Sequence, residues 1–125
     1  MKVTNMEKEI KEELNSLIDR GFFARAEQLA QQLDLNDKVQ ELRRKALWQM
    51  AAANRNMPGT KKLAEFYGFT RDQLKSILEE TLGSEKIKED NRILDPCYDQ
   101  YTGQYLSFEE WINQLFKRWD KIGRN

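Results

Sequence analysis

Apolar residues recur every three or four positions along most of this chain, the spacing that places them on one side of an α-helix. Ile10, Leu14, Leu17 and Ile18 form the first such stripe, within residues 5–19, and Glu7 and Lys11 lie four apart on another face. Gly21 interrupts the pattern, and Phe22, Phe23, Ala26, Leu29, Ala30 and Leu33 mark a second stripe. Asn36 is a capping residue type ahead of a third helix, whose inward positions are expected to be Val39, Leu42, Ala46, Met50 and Ala53. The stretch Asn54-Arg55-Asn56-Met57-Pro58-Gly59 reads as a loop by its composition.

Helix, short turn and helix are predicted next, over "KKLAEFYGFTRDQLKSILEE", Lys61 to Glu80. Thr70 with Gln73 three residues later makes a capping box, and Phe69 and Leu74 are placed for a hydrophobic staple. Gly83 is expected to end this helix as its C-cap. Residues 84–106 lose the helical period. Asp95-Pro96 and Thr102-Gly103 are turn signals there, and Tyr98, Tyr101 and Tyr105 favour extended backbone. An ordered aromatic loop and a short hairpin turning at Thr102-Gly103 both satisfy that pattern. Ser107 and Glu110 make a second capping box, with Leu106 and Trp111 as staple partners. The last helix is expected to carry Phe108, Trp111, Ile112, Leu115, Phe116, Trp119 and Ile122 on one face, the most amphipathic element of the chain.

The predicted fold is mainly α: a small bundle of five or six helices in one domain, 1–125, a length that supports a single core. Within it, 1–56 holds the N-terminal helices and a helical hairpin, 60–82 a helix-turn-helix-like unit, 84–106 the aromatic loop or hairpin, and 107–122 the C-terminal amphipathic helix. A short β-hairpin would fall near 93–106. The hairpin from Gly21 to Ala53 resembles a single tetratricopeptide unit, but no second copy follows, so a repeat array is not expected.

Composition narrows the chemistry. The chain has no histidine and one cysteine, Cys97. This removes the commonest general base, the usual zinc ligand sets and any triad built on histidine. No carboxylate, Lys or Tyr pair is singled out by spacing, so a non-enzymatic protein is expected, with no cofactor and no metal. An EF-hand alignment with Gly103 at the sixth loop position places Glu109 at the twelfth. It also puts Tyr98, Gln100 and Thr102 where acidic ligands belong, and a calcium site is not expected. "PGTKK" lacks the second glycine of a phosphate loop. Cys97 has no basic cluster beside it and reads as inert. No apolar run approaches a membrane span, and the N-terminal residues lack the apolar core of a signal peptide. A cytoplasmic location fits the single cysteine.

Two binding readings stand. The 60–82 unit resembles the helix-turn-helix motif: Ala64 is small where the second helix crosses, and Gly68 suits the turn. Leu63, Tyr67, Phe69, Leu74 and Ile77 fill the apolar sites. On DNA, Arg71, Gln73, Lys75 and Ser76 would face the major groove, while Lys61, Lys62, Arg43 and Arg44 would meet phosphates. Residues 36–62 carry seven basic side chains against two acidic ones. Against DNA stand Asp72, Glu79 and Glu80 on the candidate recognition helix, and a chain with 21 basic and 21 acidic residues. The alternative is a protein-binding adaptor or inhibitor, or a homodimer. It would use the helical hairpin or the aromatic residues Tyr101, Tyr105, Trp111 and Trp119.

Overall fold

The computed structural model describes residues 4–88 and 92–122, with side chains from residue 8 onward. Among them are six α-helices and one two-stranded antiparallel hairpin, a small mainly-α arrangement. The chain forms two compact units; one ends at Ala46 and the other begins at Leu47.

In the first unit, α1 (Thr4–Asp19), α2 (Phe23–Gln32) and the start of α3 (Asn36–Trp48) share one core. Leu14, Leu17, Ala26, Ala30, Val39 and Leu42 are its buried members. Phe22 departs from the predicted stripe: it is 46% exposed, with the Arg20 guanidinium 5.0 Å from its ring centroid. It sits just past the end of α1, where the chain has left helical geometry and the 3.6-residue period no longer sets direction. Asn36 is already within α3, and the Leu35 carbonyl accepts the first bond, from Val39 N–H at 2.9 Å.

The second unit starts with the last two residues of α3, Leu47 and Trp48, and the π-helical turn, Gln49–Ala53, that follows them directly. A π turn closes on i→i+5 bonds and so rotates everything after it relative to an α register. That rotation buries Ala51 and Ala52, leaves Ala53 exposed and leaves Met50 half-buried, in place of the predicted Met50 and Ala53. The loop that follows is also shorter than expected. Asn56 caps α4 (Met57–Phe66) by accepting from Gly59 N–H at 2.9 Å, so Met57, Pro58 and Gly59 form its first turn. Proline is tolerated there because first-turn N–H groups have no helical partner.

The turn to α5 (Arg71–Lys86) follows prediction closely. Gly68 has φ 82°, Phe69 N–H reaches Ala64 O at 2.9 Å, and Gly68 N–H reaches Glu65 O at 3.0 Å. These are the two bonds of a Schellman ending, and the left-handed residue it needs is glycine at no steric cost. Thr70 and Gln73 form the predicted reciprocal capping box. Gly83, however, does not end α5. It lies inside the helix, which runs three residues further because Leu82 is buried and holds the last turn down.

A 3-10 turn (Arg92–Leu94) leads into β1 (Cys97–Asp99), paired with β2 (Gln104–Leu106) in the register Cys97↔Leu106, Tyr98↔Tyr105, Asp99↔Gln104. The hairpin alternative is therefore the observed one. The Asp99 carboxylate accepts from Thr102 N–H at 2.8 Å and pins the turn. Next comes α6 (Phe108–Lys117), opened by the predicted Ser107–Glu110 capping box and packed on α5 and β2. It ends five residues short of the expected 122: Arg118 leaves helical geometry, and Trp119–Lys121 is a 3-10 turn.

Candidate functional site

Among the basic side chains assigned to a DNA contact, Lys61, Arg71 and Arg43 are bonded within the fold. Lys61 donates to Trp119 O at 2.7 Å and Ile122 O at 3.1 Å, with its Nζ 5.1 Å from the Trp119 ring centroid. Arg71 donates to Phe116 O at 3.3 Å, pairs with Asp72 at 3.0 Å and lies 5.3 Å from the Phe116 ring centroid. Arg71 thus meets the carbonyl-rich end of α6, where a helix dipole favours positive charge, and Lys61 ties down the 3-10 turn that follows it. Gln73 accepts from Thr70 N–H at 2.8 Å, so its side chain belongs to the capping box. In the first unit, Arg43 Nε is 2.7 Å from the carboxylate of Glu27, a residue with no exposed surface. Lys38 and Lys45 sit beside Glu41, whose pKa is lowered first by the hydrogen bond from Lys45. Lys62, Lys75, Ser76 and Arg44 are exposed. Counted over α5, Arg71, Lys75 and Lys86 face Asp72, Glu79, Glu80 and Glu85, three positive against four negative.

The aromatic candidates separate into core and surface. Trp111 is 2% exposed and stacks on Phe108 at 5.7 Å, a core residue whose remaining surface lines a cleft beside the hairpin. Trp119 is half-buried, stacked on Phe116 at 5.7 Å. Tyr101 and Tyr105 are open, 57% and 70% exposed, and Tyr98 joins them at 57%. Tyr98 and Tyr105 oppose each other across the hairpin, their rings edge to face at 5.5 Å, while Leu106 on the other face is buried. Arg118 covers the Tyr101 ring at 4.5 Å and limits its motion.

Sequence reasoning missed two features beside this surface. Arg55 has φ 49° and directs its guanidinium into the hairpin base. It donates to Ala52 O at 3.0 Å, Leu106 O at 3.1 Å, Ile93 O at 3.0 Å and Asp95 O at 2.9 Å, above the Phe108 ring at 5.1 Å. One side chain therefore ties the π turn, the 3-10 turn and β2 together. Burial lowers its pKa from the ordinary value, an effect opposed by the Cys97 thiol. The second feature is a cleft of about 520 Å³ beside the hairpin, lined by Asn54–Pro58, Cys97–Tyr101 and Trp111. The sequence carried no local signal for the brace: the left-handed residue is the arginine itself, between asparagines that keep negative φ, and the four carbonyls it serves are 38 to 51 residues away for all but Ala52.

No group of three or more acidic, cysteine or histidine side chains among the described residues could hold a metal ion. No helix among them is long and apolar enough to cross a membrane. No family model, curated protein or solved structure matches the chain.

Proposed function

We propose that this protein is a non-enzymatic protein-binding adaptor or inhibitor that meets its partner through the tyrosine hairpin of the second unit. One contrast carries the reading: Lys61, Arg71 and Gln73 are bonded within the fold, while Tyr98, Tyr101 and Tyr105 stand exposed on a braced hairpin. Tyrosine suits a contact surface because a large ring is ordered at the cost of only two torsions and its hydroxyl tolerates water beforehand. Bracing by Arg55 and Arg118 lowers the ordering cost further. The test replaces all three tyrosines by serine. The variant should melt as the parent does, since the rings are exposed, and should lose the stoichiometric protein partners captured from cells that express it. An unchanged partner set would count against the hairpin.

The observed helix-turn-helix, with Lys75 and Ser76 exposed, favours DNA contact by α5 as a second reading. It requires that mixed-sequence duplex bind at micromolar protein in low salt and that Lys75→Glu weaken that binding at every sequence.

A further inference from the structure

All three residues of β1 line the cleft beside the hairpin. Gln100 and Tyr101, the first two residues of the turn after β1, line it as well, and, among the described residues, none of β2 does. Neighbouring side chains on a strand point to opposite faces, so an unbroken run of residues meets a cavity along the strand's edge. Pairing with β2 uses the other edge of β1. An antiparallel ladder leaves alternate N–H and C=O groups of an outer strand turned away from its partner.

We infer that the cleft accepts one extended peptide strand of a protein partner, which adds to the outer edge of β1 as a third strand. This rests on the protein-binding reading above and names how the partner is held. The groups a strand edge offers are matched by the main chain of another strand about 4.8 Å away. The cleft's 520 Å³ lies within the roughly 300–1,000 Å³ of ordinary ligand sites. Its charged lining groups are Arg55 and Asp99, one of each sign and both engaged within the fold, Arg55 by four carbonyls and Asp99 by Thr102 N–H. A charged small ligand thus finds no waiting counter-ion, whereas neutral main chain meets no charge penalty. The entry to α4, Asn54–Pro58, lines the same cleft, so a strand added there is itself covered and does not template an open-ended sheet.

The probe is a phage-displayed library of random heptapeptides selected on the full chain, followed by synthetic copies of the enriched peptides. Amide resonances of Cys97–Tyr101 should shift on binding. Methylating a peptide's backbone nitrogen should weaken binding about tenfold at alternate positions and little between them, the loss of one main-chain hydrogen bond. No enrichment, or peptides that shift amides elsewhere, overturns the inference. Peptides that need the three tyrosines but ignore N-methylation overturn strand addition and leave the tyrosine surface standing. Peptides indifferent to both changes count against both.

Discussion

Arg55→Ala should be among the most damaging single changes in the second unit. The guanidinium serves four carbonyls, three of them through part-buried bonds to Ala52, Leu106 and Ile93; the bond to Asp95 is exposed, and water can replace it. Taking roughly 1–1.5 kcal/mol for each of the three part-buried bonds and about 0.5–1 kcal/mol for the Phe108 contact gives a loss of about 3.5–5.5 kcal/mol. Small domains have about 5–15 kcal/mol in total, so the hairpin should loosen or the unit unfold. Arg55→Lys should recover little, because one ammonium cannot span four acceptors. Arg55→Asn should exceed Arg55→Ala by up to about 1 kcal/mol, since asparagine accepts the left-handed backbone that alanine resists. All three tryptophans, Trp48, Trp111 and Trp119, lie in the second unit, so urea unfolding followed by tryptophan fluorescence reads that unit. A loss below about 1 kcal/mol for Arg55→Ala, a typical surface effect, would refute the assignment of Arg55 as the brace.

The two helical glycines should respond with opposite signs. A Cβ at Gly59 would lie 2.7 Å from the Asn56 side chain and 2.9 Å from Met50 sulfur, so Gly59→Ala should displace the α4 cap and lower the melting temperature. At Gly83 a Cβ meets nothing within 4 Å, so Gly83→Ala should stabilise α5 by about 0.5–1 kcal/mol in a urea melt. Trp111→Ala should cost about 3–5 kcal/mol as a core truncation; Trp119→Ala, half-buried, should cost clearly less in the same assay. Hydrogen bonds from the Ser107 backbone and hydroxyl lower the Glu110 pKa below its ordinary 4.5. A depressed carboxylate stabilises the fold above its unfolded pKa and loses that contribution as pH falls through the folded value. Glu110→Gln should therefore differ from the parent in melting temperature near neutrality, and the gap should shrink below pH 4.5.

Elements governed by local signals were legible in the sequence. The Thr70–Gln73 and Ser107–Glu110 boxes set two helix starts through bonds three residues apart, and the Gly68 turn follows from one residue's backbone freedom. The π turn was not legible, because Gln49–Ala53 has ordinary helical composition and its extra residue answers to packing around Ala51 and Ala52. The end of α5 went the same way: Gly83 signals a stop locally, and burial of Leu82 overrides it. The candidate site shows the same division. Tyr101 and Tyr105 were found because tyrosine favours extended backbone, although Tyr101 sits in the turn between the strands, whereas the work of Lys61 and Arg71 depends on carbonyls of α6 and of the 3-10 turn after it, more than forty residues away. A basic residue in sequence does not show whether its charge faces solvent or a helix end.

The most direct test of the central claim places a photo-cross-linking phenylalanine analogue at Tyr105 in one variant and at Ser76 in another, both in cells that express the protein. Tyr105 is 70% exposed on the hairpin, and Ser76 is exposed on α5, so neither replacement disturbs a buried group. The account predicts a discrete protein adduct at Tyr105, sensitive to protease and not to nuclease, with none of comparable yield at Ser76. A nuclease-sensitive adduct at Ser76 with nothing at Tyr105 would contradict it and return the function to α5.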